Sequence, residues 1–249
     1  AAEGLAMAYT NEDFSVGVAI EVNSETDFVA KNSEFQAFVK LCGETVINKA
    51  PSTVEELLAI KVEDGKCIED ILKEKILTIG ENIKIRRFKR FEGTVASYVH
   101  ASGKIGVLVK FDVSDKGIAS SDKFKEFAKD IAMQIAAVNP AYLSKEDVPE
   151  EVLEHEKKIL REQIINDGAP EKVADKILQG KIGKYYKEAC LKEQPFVKDS
   201  HINISQYVDQ VAKELGVSIG ISEFVRFEKG EGIEKKEDDF AKEVAGMIK

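Results

Sequence analysis

Two periods alternate along this chain. Residues 4–10 and 15–23 read as two strands around a short polar turn at Asn11 to Asp13, which is the signature of a hairpin. From Ser33 the period lengthens: Phe35, Phe38, Val39, Cys42 and Val46 fall on one helical face, with Ser33 and Gln36 spaced as a capping box. Shorter helical patterns follow over residues 54–60 and 68–77, and alternation over residues 83–91 returns the chain to a strand. Strand, strand, helices, strand predicts a small antiparallel sheet with helices on one face.

The same plan is then repeated. Glu3 and Gly4 recur as Glu92 and Gly93, Tyr9 as Tyr98, Gly17 and Val18 as Gly106 and Val107, Phe35 and Phe38 as Phe124 and Phe127, and Pro51 as Pro140, each at an offset of 89 (106 − 17). Further on, GENIKIRRFKRFE from Gly80 returns as GVSIGISEFVRFE from Gly216, an offset of 136. The second copy therefore holds 47 extra residues (136 − 89) between Pro140 and Gly216. Two copies of this length argue for paired subdomains rather than a solenoid.

Within the extra residues, Val152, Leu153, Ile159, Leu160 and Ile164 lie at helical spacing, as do Val173, Ile177, Leu178, Ile182, Tyr185 and Tyr186, with the turn N-D-G-A-P between them. This predicts an antiparallel helical hairpin, a coiled coil that either packs on its own sheet or projects as a stalk. Beyond Gly230 to Gly232 a last amphipathic helix carries Phe240, Val244, Met247 and Ile248. The expected fold is α+β: a first core subdomain over residues 1–92, a second over 93–148 and 192–232, the hairpin over 149–191 and a C-terminal helix over 233–249.

The loop in EVNSETDFVAKNSEFQAF, residues 21–38, is where polar residues surround an aromatic. Thr26 or Asp27 capping a helix, with Phe28 tucked beneath as a staple, is the ordinary explanation. The repeat tests it, because adding 89 to Thr26, Asp27 and Phe28 gives Asp115, Lys116 and Gly117. The second copy tolerates their absence, which makes Phe28 a candidate exposed anchor for a partner's pocket.

Composition narrows the function classes. A net charge of −9 argues against binding through nucleic-acid phosphates, so a protein or small ligand is the expected partner. Three scattered cysteines, Cys42, Cys67 and Cys190, in apolar helical surroundings fit buried thiols in a reducing compartment, and no Cys/His spacing resembles a zinc site. No apolar run spans a bilayer and the first residues do not read as a signal peptide. Phosphate loops, a nucleophile elbow and a metalloprotease motif are all missing from the sequence. Glu21, Glu25 and Asp27 can be set out as acid and base, but nothing marks a substrate pocket beside them. No catalytic residue, cofactor or metal is assigned.

The stretch SETDFVAKNSEF (24–35), together with IGENIKIRRFKRFEG (79–93), KIGVLVKFD (104–112), DIAMQIAAVNP (130–140), EQPFVKD (193–199) and VRFEKGEGIEKKEDDFAKEV (225–244), resembles translation elongation factor Ts, in order and over nearly the whole chain. The resemblance implies a guanine-nucleotide exchange factor for elongation factor Tu that acts by binding, with no covalent chemistry. It implies two homologous core subdomains, an inserted coiled coil and a C-terminal helix that docks on the partner. By the same resemblance Phe28 wedges between helices of the partner's GTPase domain, Asp27 disturbs the magnesium environment, and Thr26 and Val29 shape the loop. A strand contact falls on Ile105 and Gly106, and Gln134 stands where the family commonly has a histidine near the partner's phosphate loop. Gln134 can donate a hydrogen bond but cannot become charged. The family usually begins with a ubiquitin-associated-like domain that this sequence does not include, so that domain's contacts are expected to be absent. The expected setting is the bacterial cytoplasm, with an organellar matrix or stroma as the alternative. The competing reading is a scaffold or chaperone that dimerises or holds partners through the hairpin.

Overall fold

The computed structural model describes residues 2–234 and 245–247. β1 (Glu3–Thr10) and β2 (Val16–Ser24) form the first antiparallel hairpin. α1 (Ser33–Lys49) follows, then α2 (Val54–Ala59), the two short strands β3 (Lys61–Glu63) and β4 (Lys66–Cys67), α3 (Ile68–Ile79) and β5 (Lys84–Glu92). β5 returns to pair with β2, giving the order β1-β2-β5. Phe35, Phe38, Val39, Cys42 and Val46 of α1 close on Val18, Ile20 and Val22 of β2, as the helical and strand periods require.

The second copy repeats this. β6 (Thr94–His100) and β7 (Ile105–Val113) lead to α4 (Asp122–Val138), displaced from α1 by 89 at both ends (122 − 33, 138 − 49). The extra residues then form α5 (Glu150–Asn166) and α6 (Glu171–Ala189). Two short strands, β8 (Pro195–Phe196) and β9 (Asp199–Asn203), precede α7 (Ile204–Leu215), displaced from α3 by 136 (204 − 68, 215 − 79). β10 (Ile219–Glu228) completes the order β10-β7-β6. Phe111, Phe124 and Phe127 meet at ring separations of 5.4 to 5.8 Å in the second core.

α5 and α6 lie side by side, and several of their apolar residues stay uncovered: Val152, Ile159, Ile165, Val173 and Ile177 are exposed, whereas Ile164, Ala174 and Ile182 are buried. The hairpin is held at its base, where Ala141 and Tyr142 N–H both donate to the Ala189 carbonyl and Leu191 N–H donates to that of Tyr142. Most of the expected C-terminal helix, including Phe240, Val244 and Ile248, lies outside the described residues.

Two local expectations need correction. Asn32, not Ser33, caps α1; its Oδ1 accepts from Glu34 and Phe35 N–H at 2.8 and 3.1 Å, while Gln36 turns away to donate to the Ala30 carbonyl. Asn32 has the extended backbone of a cap, with φ −74° and ψ 126°, and Ser33 is already the first helical residue. Cys67 is only partly buried, since it caps α3 with its Sγ 3.1 Å from Asp70 Oδ2, whereas Cys42 and Cys190 are buried as expected.

The two sheets stack on a shared apolar layer. Ala6, Ala19, Val95, Leu108, Phe91 and Phe227 form this shared core. The contact is reciprocal: Ala6 N–H donates to the Gly103 carbonyl at 2.8 Å and Val95 N–H to the Phe14 carbonyl at 2.9 Å. Both donor and acceptor shift by 89 (95 − 6, 103 − 14), so the copies meet as an isologous dimer would. Close approach is set by Gly106, where a Cβ would lie 2.8 Å from the Met7 carbonyl oxygen. Gly106→Ala is expected to lower the unfolding free energy by about 2 kcal/mol, the scale of overpacking against backbone. Gly180→Ala in α6, where a Cβ meets nothing within 4 Å, is expected to raise it by about 0.8 kcal/mol. Urea unfolding measures both, and equal midpoints would remove the packing account.

Candidate functional site

The loop after β2 is pinned from both sides. Ser24 Oγ donates to the Thr26 carbonyl at 2.9 Å. Thr26 donates its N–H and its hydroxyl to the two oxygens of Glu81, at 2.9 and 2.7 Å. Glu81 is brought there by Gly80, whose φ of 82° ends α3 in the left-handed conformation that glycine adopts without strain. On the far side, Val29 is 5% exposed in the first core and begins a single 3-10 turn, Val29–Lys31, that leads into the Asn32 cap. Between these anchors Asp27 and Phe28 stand in solvent, and Phe28 is 77% exposed. A Phe held this way is neither a staple nor a core residue, and Thr26 and Asp27 cap no helix. Asp27 borders a cleft of about 330 Å³ lined by Lys31, Lys104 and Lys229 among others.

The three carboxylates considered for acid and base work do not converge. Glu25 accepts from Asn82 N–H at 3.3 Å and Asp27 is exposed. Glu21 is fully buried, and its Oε1 accepts from Arg86 Nη1 at 3.0 Å and Arg87 Nε at 2.7 Å. Its Oε2 accepts from Asn23 Nδ2 at 3.0 Å and Gly230 N–H at 2.7 Å. A carboxylate so completely bonded is a structural tie, not a base. Among the described residues no cluster of His, Cys, Asp and Glu could hold a metal, and no helix is long and apolar enough to cross a membrane.

The remaining candidates lie inside the frame. Ile105 is 5% exposed and packs in the second core, and Gly106 is closed over by the Met7 backbone. Gln134 is buried on α4; its Nε2 donates to the Pro195 carbonyl at 3.1 Å and its Oε1 accepts from Val197 N–H at 2.9 Å. One turn earlier Asp130 accepts from Tyr207 OH at 2.7 Å and pairs with Lys198 Nζ at 2.6 Å. Burial, then the hydrogen bond to Asp130, pushes the Tyr207 phenol well above its ordinary pKa, so it remains a donor. Gln134 and Asp130 thus fasten the segment between β8 and β9 to α4, and neither Ile105, Gly106 nor Gln134 offers a free side-chain surface.

The sequence reading missed Glu81, although the repeat carried a signal for it. Adding 136 gives Val217, so the second copy loses Glu81 together with Thr26, the pair that bonds across 55 residues. The fold keeps the loop but only the first copy clamps it.

The family model for elongation factor Ts matches residues 25–231, from the start of this loop to the segment after β10. The chain belongs to the elongation factor Ts family. It is 49% identical over 250 residues to an elongation factor Ts of Clostridium perfringens (strain SM101 / Type A), covering 99% of this chain and 81% of the relative. An elongation factor Ts of Clostridium kluyveri is 48% identical over 253 residues, covering 100% and 81%. That of Trichlorobacter lovleyi is 46% identical over 250 residues, covering 98% and 80%. The family places the chain among translation elongation factors.

The clamp makes a local prediction. Glu81→Ala is expected to raise amide hydrogen exchange at Thr26 at least tenfold, about 1.4 kcal/mol of lost order, while amides of β2 keep their protection. Unchanged exchange in the loop would show that Val29 alone fixes it.

Proposed function

We propose that this chain is a guanine-nucleotide exchange factor for elongation factor Tu, and that the Thr26 to Val29 loop is the part that enters the partner beside its nucleotide and magnesium site. The observation that carries the reading is Phe28, 77% exposed on a loop fixed at both ends, in a chain of the elongation factor Ts family. A partner that seats Phe28 gains a buried aromatic without ordering the loop first, because Glu81 and Val29 have already done so. Asp27, next to it, brings a carboxylate to a magnesium site whose ligands depend on charge balance. Binding that favours an emptied, distorted nucleotide cradle must weaken nucleotide affinity by the same coupling free energy. About 5 kcal/mol of coupling is a factor of roughly 10⁴ in affinity. No covalent step is involved.

Ile105, Gly106 and Gln134 support this surface by shaping the frame: Ile105 packs in the second core, Gly106 sets the spacing of the sheets, and Gln134 holds the exposed Val197 in place. The bacterial relatives favour the cytoplasm as its setting. The uncovered apolar residues of α5 and α6 favour a second interaction there, with a second copy of the chain or another protein.

Release of fluorescent GDP from elongation factor Tu tests the proposal. The parent chain is expected to accelerate release, Phe28→Ala to lower that acceleration at least tenfold, and Asp27→Ala to lower it severalfold, with both variants folded. Binding by the parent without acceleration would sink the exchange reading. Loss of every partner effect on deleting residues 149–191, with Phe28→Ala silent, would favour the scaffold.

A further inference from the structure

β6 is an edge strand whose outer side is only partly occupied. In its ladder with β7 the hydrogen-bonding direction alternates residue by residue, without a bulge. Val95 N–H points outward, to the Phe14 carbonyl at 2.9 Å, and Gly93 N–H reaches that of Ser15 at 2.9 Å. Ser97 and Val99 share the parity of Val95, so their N–H and C=O groups also point outward, where no described backbone group meets them. The edge thus accepts backbone pairing at one end, from this chain's own turn, and among the described residues is open beyond it.

Alongside the open stretch runs a groove of about 430 Å³ between β6 and α4. Its floor is apolar, with Val95, Ala96, Phe124 and Ala128, and Phe14 closes one end. Lys125 and Lys129, both exposed on α4, are the charged residues that line it, and Lys125 Nζ also sits 5.2 Å from the Phe14 ring centroid. The first copy differs at the corresponding positions: Val39 stands for Ala128, Gln36 for Lys125 and Gly103 for Phe14. The wider floor and the lysine are features of the second copy, whose loop lacks the aromatic anchor of the first.

An edge strand beside a helix, with an apolar trough between them, is the geometry in which an extended peptide adds as a further strand. Main-chain bonds give affinity and alternate side chains fill the trough. We propose that the β6–α4 groove binds an extended segment of a partner protein, pairing with Ser97 and Val99, seating an apolar side chain over Ala128 and placing acidic side chains at Lys125 and Lys129. The acids follow from charge complementarity, because Lys125 and Lys129 are the charged residues lining the groove.

The test uses two acetylated, amidated pentapeptides, Glu-Thr-Val-Thr-Glu and Lys-Thr-Val-Thr-Lys, whose first, third and fifth side chains share one face, titrated into the ¹⁵N-labelled chain. The acidic peptide is expected to bind at least fivefold more tightly, to shift the Ser97 and Val99 amide resonances and to slow their hydrogen exchange. Lys125→Glu combined with Lys129→Glu, two exposed changes, is expected to reverse the preference. Ser97→Pro, which removes an outward N–H, is expected to cut binding at least tenfold. Four outcomes would overturn the proposal: unshifted Ser97 and Val99 amides at millimolar peptide, equal binding of both peptides, protection of these amides in the free chain, or shifts that track protein concentration. The third would assign the edge to this chain's own residues and the fourth to a second copy.

Discussion

A carboxylate with no access to water must be fully bonded or it will not stay charged, and Glu21 shows how much structure that requirement organises. Two arginines reach it from one strand because β5 bulges there: Glu21 pairs with Arg87 and Val22 with Ile85, leaving Arg86 as the extra residue. The bulge turns two consecutive side chains toward one acid. The Gly230 amide then brings in the segment after β10, which Lys229 also ties to Glu3 at 2.8 Å and to the Lys104 carbonyl at 2.9 Å. Arg87 stacks 4.3 Å from the Phe227 ring on its way to Glu21. The end of the second copy is thereby fastened to the strand that delivers the Thr26 loop.

The second copy keeps the bulge and changes its chemistry. Its register shifts between Ile221 and Glu223, leaving Ser222, the counterpart of Arg86 (222 − 136), as the extra residue, with Lys110 opposite Glu223. Lys110 corresponds to Glu21 (110 − 89) and Glu223 to Arg87 (223 − 136), so the charges are reversed and no arginine pair is gathered. The bulge therefore belongs to the fold, and the buried acid belongs to the joining of the copies. The same division appears at the helix ends. Arg90 donates to the Ile47 carbonyl and Arg226 to that of Ala136, equivalent contacts that each copy needs for itself.

Much of this was legible in the residues because the repeat is gapless where the fold is regular. The period change at Ser33 and the recurrence of Phe35 and Phe38 as Phe124 and Phe127 place both long helices, and the offset of 136 places β5 against β10. What escaped is what sequence spacing does not encode. The Asn32 cap was read one residue late because serine and asparagine are both good caps, and only the backbone conformation, extended at Asn32 and helical from Ser33, decides between them. The Thr26 to Glu81 bonds and the Glu21 tie join residues 55 or more apart, with no periodic signal. The exposed position of Phe28 was inferred from its replacement by Gly117, because a side chain that the fold can omit is free to serve something else.

The position of that side chain follows from a division of labour within four residues. Thr26 and Val29 use their bonding capacity inward, on Glu81 and the first core, and so have none left to offer a partner. Asp27 and Phe28 do the reverse, and the fold gains nothing from them. A flexible loop with the same two residues would lose part of the aromatic's binding energy to ordering. Here that entropy is spent when the chain folds, and the frame that fixes the loop is itself braced by Glu21 and the closed contact at Gly106. A displacement of the loop carrying Phe28 is opposed by the Glu81 bonds on one side and the packing of Val29 on the other, so on the proposed reading it is the partner accepting the ring that yields.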